Sequence, residues 1–163
     1  MYATPQIYVA SLEAYNAGRA IGQWVDATCE DSINDAIANL PGEEWAIHDF
    51  EDMPNLGESP PIALIVAVAK GIDEHGDAFK HWIDLGMHAH VIGCLEVDIM
   101  TAFEDSFQGT YESAEKFGEQ LVDDMGDLPS HYDYYLDFEA YGRAALMDHT
   151  VASDSDGTIY VYA

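Results

Sequence analysis

Between Tyr132 and Arg143 the chain reads YDYYLDFEAYGR, with five aromatic rings and three carboxylates closed by a single arginine. Residues of these types in this density could line a catalytic pocket, stack on a sugar, hold calcium, or form a surface made to be bound. Helical spacing separates the two kinds. Tyr134, Phe138 and Tyr141 fall at i, i+4 and i+7 and share one face, while Asp133 and Asp137 line the neighbouring face. Glu139 and Arg143 stand i, i+4 in the order that favours an ion pair, which gives the arginine a local partner rather than a catalytic role. The spacing therefore predicts an aromatic stripe that packs and a carboxylate row that faces solvent. Just upstream, ESAEKFGEQLVDDMG (112–126) predicts a helix with the stripe Ala114, Phe117, Leu121 and Met125, and Gly126 as its C-terminal cap. Glu112, Glu115, Glu119, Asp123 and Asp124 occupy its other faces.

Other reactive residues carry less. His88 and His90 form an HxH with His75 and His81 nearby, which on a strand would set two ligands on one face. The chain has no HExxH, however, and no partner at a recognised ligand spacing, so no metal site is expected. DSDG (154–157) resembles the start of a calcium loop, but that loop's further ligands and bidentate glutamate do not follow, and the stretch reads as a hairpin turn. Cys29 and Cys94 lie far apart without CxxC spacing and read as reduced, buried thiols of a cytosolic protein. GxSxG, P-loop and dinucleotide glycine fingerprints are absent. Carboxylate pairs of the kind a glycosidase uses are uninformative in a chain this acidic. No catalytic residue and no cofactor is expected.

Charge is the dominant signal. The 163 residues carry 31 acids against 5 bases, a formal net charge of −26. The two ends share it, with 15 acids in residues 1–95 and 16 in 96–163. The acids interleave with apolar residues, as on the outer faces of folded elements, and do not form a tail. Direct binding to nucleic acid or to an anionic membrane is excluded, because both need Lys and Arg. The partners that remain are cations and strongly basic surfaces. Two functions fit: a surface adapted to high salt that binds some cationic partner, or a mimic of nucleic acid. A compact chain of this length is ~40 Å across. Two end to end would span about 80 Å, the length of a duplex bearing ~47 phosphates, and two such chains bring on the order of 50 negative charges.

At 48% hydrophobic the chain can bury a core. The longest apolar run, 60–69, is too short to span a bilayer, and the N-terminal stretch shows no basic leader or cleavage pattern. QIYVASL (6–12), RAIGQWVDA (19–27) and EEWAIHDFE (43–51) predict strands; EAYNAG is a turn, and Thr28 caps a helix ended by Pro41–Gly42. DMPNLGESPP is a lobe boundary. From Pro61 to about Phe103 the pattern is helical: IALIVAVAKGIDEHG, DAFKHWIDLG and VIGCLEVDIMTAF. The chain closes on a hairpin, HTVAS–DSDG–TIYVYA. This is an α+β protein divided into a β-β-α-β lobe (1–58), a helical lobe (59–104) and an α+β lobe (105–163).

Three blocks, QIYVASLEAYNAGRAIGQWVD, EEWAIHDFE and GDLPSHYDYYLDFEAYGRAALMD, resemble in content, order and spacing the ArdA antirestriction family, over nearly the whole chain. The resemblance implies an elongated chain of three small lobes and a cytoplasmic, non-enzymatic homodimer encoded on mobile elements. It further implies mimicry of bent B-DNA that occupies the DNA-binding cleft of type I restriction-modification enzymes, on their DNA-recognition and methyltransferase subunits. The family's antirestriction motif falls on Gly126–Arg143. Asp127, Asp133, Asp137 and Glu139, with Asp123 and Asp124 before them, would then stand in for phosphates, and Glu112, Glu115 and Glu119 extend the same acidic helix. Tyr134, Tyr135, Phe138 and Tyr141 would be packing or dimer residues.

Overall fold

A computed structural model of the chain describes residues 3–90, 98–126 and 134–163. Among them are seven α-helices and two antiparallel three-stranded sheets, an α+β mixture. The chain divides into two compact units, Met1–Thr101 and Ala102–Ala163.

In the first unit β1 (Gln6–Ser11) is the central strand, flanked by β2 (Gly22–Asp26) and β3 (Trp45–Glu51) in the order β2-β1-β3. Period-two alternation sends Ile7 and Val9 inward with Ile47, all at most 2% exposed. The helix α2 (Glu30–Ala38) buries Ile33 and Ala36 against this sheet. The stretch EAYNAG, expected as a turn, lies largely in a short helix, α1 (Leu12–Asn16). The buried Ser11 hydroxyl makes that possible: it accepts from the Ala14 N–H at 3.1 Å and donates to the Pro41 carbonyl at 2.6 Å. Thr28 does not cap α2. Its hydroxyl and N–H both go to Asp26 Oδ1, and Cys29 takes the cap position with no side-chain cap bond. Next come α3 (Ile62–His75) and α4 (Asp77–Asp84), joined at Gly76, where φ is +61°. Phe79 of α4 lies over Gly71 of α3, where a Cβ would overlap its ring. Met87–His90 form a 3-10 turn. Of the expected third helix, VIGCLEVDIMTAF, only residues 98–103 are described; α5 (Ile99–Ser106) takes them up, and the division between the units falls within it.

The second unit holds β4 (Phe107–Tyr111), α6 (Ala114–Met125), α7 (Phe138–Leu146), β5 (Thr150–Ser153) and β6 (Ile159–Tyr162). The expected hairpin is present: β5 and β6 pair through a turn at 154–157, with Gly157 at φ +95°. The strand β4 had no counterpart in the sequence reading. Gly109, at φ +144°, sits in a register shift in its pairing with β6, and a glycine inside a five-residue strand reads as a turn. The result places β6 in the centre (β4-β6-β5), which is why Tyr160, Val161 and Tyr162 are buried. Phe103, Phe107 and Tyr162 form one chain of ring contacts; Tyr111, Phe117 and His149 form another.

Candidate functional site

The acidic surface of the second unit is set by how α6 and α7 meet. Ser113 caps α6 by accepting from the Lys116 N–H, and Gly126, in the left-handed conformation at φ +68°, ends it as expected. Asp137 caps α7, its Oδ1 accepting from the Ala140 N–H at 2.9 Å. The helices cross at two buried glycines, Gly118 and Gly142. A Cβ on Gly142 would overlap the Ala114 carbonyl, and one on Gly118 would overlap the Phe138 carbonyl. Only hydrogen fits at either position, so the backbones themselves are in contact. Beside this close crossing, Glu119, Val122 and Asp123 of α6 share with Phe138 of α7 a shallow depression of about 300 Å³.

Glu112, Glu115, Asp123, Asp124, Asp137 and Glu139 are exposed and Glu119 is half-buried. Asp127 and Asp133 lie outside the described residues. Residues 102–163 contain 14 acids and two bases, Lys116 and Arg143. Lys116 Nζ meets Glu119 at 2.6 Å, and Arg143 meets Glu139 as the spacing predicted. Both cations of the unit are thus spent on carboxylates of their own helices. The Glu119 carboxylate, by hydrogen bond and by charge, raises the Lys116 pKa and keeps it ammonium. Asp124 accepts from Gln120 at 2.9 Å and adds to the burial that raises the Tyr111 phenol. No described carboxylate anywhere in the chain is buried, because an unpaired charge removed from water costs several kcal/mol or about that order.

The aromatic residues are placed differently from the expectation. Tyr134 and Tyr135 precede α7, which begins only at Phe138, so Tyr134 does not share a helical face with Phe138 and Tyr141. Asp137 as N-cap is the reason: its side chain is occupied with the helix's own N–H, and Tyr134 and Tyr135 lie in a separate 3-10 turn, with Leu136 and Asp137 between the two. Tyr134 is 95% exposed and Tyr135 84%, Tyr141 is also exposed, and only Phe138 is half-buried. The stripe on α6 is likewise shifted. Phe117 and Gly118 are buried, and Met125 is exposed. The signal for Gly118 and Gly142 was present in the sequence as glycines inside helical patterns, which usually have a packing reason.

The remaining candidates do not assemble a reactive centre among the described residues. The HxH lies in the 3-10 turn rather than on a strand, and no group of three or more His, Cys, Asp or Glu is placed to hold a metal ion. DSDG is the hairpin turn, with Tyr160 donating to Asp154 at 2.6 Å. Cys29 is exposed rather than buried, and hydrogen bonds from Ser32 lower its thiol pKa; Cys94 lies outside the described residues. A depression of about 500 Å³ beside β3 has Tyr15, His48 and Glu58 as its titratable lining, with no nucleophile–base pair. No described helix is long and apolar enough to cross a membrane.

Fold and surface together define a small acidic α+β protein whose distinguishing feature, among the described residues, is an open field of carboxylates. A family model described as Antirestriction protein (ArdA) matches residues 7–160. The chain belongs to the ArdA antirestriction family, as the three sequence blocks implied. No curated protein matches it.

Proposed function

We propose that this protein inhibits type I restriction-modification enzymes by occupying their DNA-binding cleft as a mimic of duplex DNA, binding the DNA-recognition and methyltransferase subunits and catalysing nothing. The observation that carries this reading is the charge arrangement of the second unit: 14 acids, none of the described ones buried, and both cations already paired on their own helices. Such a surface has no free cation to oppose a basic cleft, and its field steers encounter with one. Asp123, Asp124, Asp127, Asp133, Asp137 and Glu139 are the proposed phosphate surrogates, extended by Glu112, Glu115 and Glu119. The working form is a homodimer in the cytoplasm, where the target enzymes meet incoming DNA. Exposed Tyr134, Tyr135, Tyr141 and Met147 support a contact with a second copy, because aromatic residues and Met are enriched at interfaces.

Titration of the protein into a purified type I methyltransferase core carrying labelled duplex tests this. Stoichiometric displacement of the DNA, weakening steeply between low and high salt, is expected. Duplex that stays bound at protein excess and low salt would sink the proposal.

A further inference from the structure

The outer face of the first unit's sheet carries a second, chemically different surface. Strand register fixes its layout. Tyr8 of β1 stands opposite Trp24 of β2 and Asp49 of β3, and Gln6 stands opposite Asp26 and Glu51. Directly opposed residues point to the same face, so these six form two rows of three: Trp24–Tyr8–Asp49, then Asp26–Gln6–Glu51. The rows are about 7 Å apart, two residues along a strand. The opposite face is filled by Ile7, Val9 and Ile47.

Two features make this face a platform rather than an incidental patch. The rings are fixed: Tyr8 and Trp24 pack edge to face with centroids 5.5 Å apart, and Tyr8 leans over Gly22, where a Cβ would come within 2.7 Å of its ring. The carboxylates are also fixed. Asp26 Oδ1 accepts from the Thr28 N–H at 2.8 Å and its hydroxyl at 2.6 Å, and Asp49 Oδ1 accepts from the Phe50 N–H at 2.9 Å. Trp24 is nonetheless 41% exposed, and Asp26, Asp49 and Glu51 are all exposed. An apolar partner would strip water from three carboxylates without pairing them, and a nucleic acid or anionic membrane would be repelled. A guanidinium satisfies both halves at once: its planar face stacks on the indole while its edge N–H groups reach carboxylates. An ammonium offers a compact point charge with no flat face to stack.

We propose that this face docks a basic protein surface by seating an arginine side chain on Trp24, with Tyr8 bracing the indole and Asp26, Asp49 and Glu51 pairing the guanidinium edges. It is distinct from the carboxylate field of α6 and α7, and it does not require the partner to be a restriction enzyme.

Two measurements test it. In the first, blocked hexa-arginine and hexa-lysine peptides are titrated against the wild-type chain, Trp24→Leu, the triple variant Asp26→Asn/Asp49→Asn/Glu51→Gln, and a charge-matched control, Asp35→Asn/Asp73→Asn/Glu74→Gln. The wild type should prefer arginine by about three-fold, the size of one exposed cation–π contact. Trp24→Leu and the first triple variant should lose that preference, and the control should keep it. The second needs no variant. Acetyl-arginine amide should shift the Trp24 indole N–H and the Tyr8 ring resonances saturably, with acetyl-lysine amide about three-fold weaker. Equal binding of the two peptides, a preference that survives Trp24→Leu, or Trp24 and Tyr8 resonances that do not move would each overturn the proposal. Loss of inhibition with these shifts intact would sink only the antirestriction mechanism.

Discussion

The two units of this chain solve the same problem, a surplus of carboxylates around a small apolar core, in different ways. The first unit has the larger core: Ile7, Val9, Ile33, Ile47, Ile65, Val68, Phe79 and Trp82 are essentially unexposed. Its described acids all stay in contact with water, several of them on the outer face of the sheet. The second unit has a thinner core, carried by Phe103, Phe117, Val161 and Tyr162, and it relies on direct backbone contact between α6 and α7 at Gly118 and Gly142. It also exposes Met125, Tyr134, Tyr135, Leu136, Tyr141 and Met147, against Tyr15, Trp24 and Leu85 in the first unit. A unit with more charge per residue and more uncovered apolar surface has less stability of its own to spare. The acidic field therefore depends on one tightly fitted crossing, where the first unit rests on distributed packing.

The largest effect should come from that crossing. Gly142→Ala places a methyl group into the Ala114 carbonyl, which cannot yield without parting the helices. The second unit should lose about 3 kcal/mol or more, read by amide exchange, while amides of β1 and β3 keep their protection. Gly71→Ala in the first unit meets the Phe79 ring, a side chain that can shift, and should cost less, about 1–3 kcal/mol. Equal losses would erase the contrast between a backbone crossing and side-chain packing.

Neutralising the field comes next. Changing Glu115, Glu119, Asp123, Asp124, Asp137 and Glu139 to their amides should weaken inhibition of a type I enzyme by at least about 100-fold, while each single change costs about two-fold, since many weak screened contacts share the energy. Asn remains an effective N-cap, so Asp137→Asn tests charge without undoing α7. Inhibition that survives all six changes would remove these helices from the contact surface.

Alkaline pH should also separate the units. Burial first, and then the Asp154 charge, raise the Tyr162 phenol well above the ordinary tyrosine value of about 10; burial and Asp124 raise Tyr111. A phenol whose folded pKa lies above its unfolded one contributes stability that is complete below the unfolded value, about pH 10, and is lost as pH climbs toward the folded one. Thermal melts between pH 9 and 12, followed by tyrosinate absorbance, should show the second unit failing first. Tyr111→Phe should lessen the slope; an unchanged slope in both Tyr111→Phe and Tyr162→Phe would refute the assignment.

The smallest effect belongs to the ion pairs. Lys116→Gln and Arg143→Gln remove exposed partners of Glu119 and Glu139 and should leave the unfolding midpoint within measurement error. A clear drop would mean that relief of local acid repulsion matters more in the second unit than surface pairs ordinarily do.

Much of this was legible in the sequence because it rests on local rules. Alternation in QIYVASL and WAIHDFE set β1 and β3, the i, i+4 spacing set the Glu139–Arg143 pair, and Gly126 and DSDG marked a cap and a turn. The net charge and the three blocks pointed to the family. Other features were settled only by contacts between residues distant in sequence. The strand β4 exists because β6 pairs with it across a bulge, which no local pattern of FQGTY reveals. Tyr134 looked like part of a packed stripe by spacing but lies outside α7, because the Asp137 carboxylate starts the helix at Phe138. The sequence by itself determined the composition of the surface, since charged side chains must stay in water wherever the chain folds. How closely the two acidic helices approach was decided by tertiary structure alone, through two glycines far apart in the chain whose missing side chains let α6 and α7 touch.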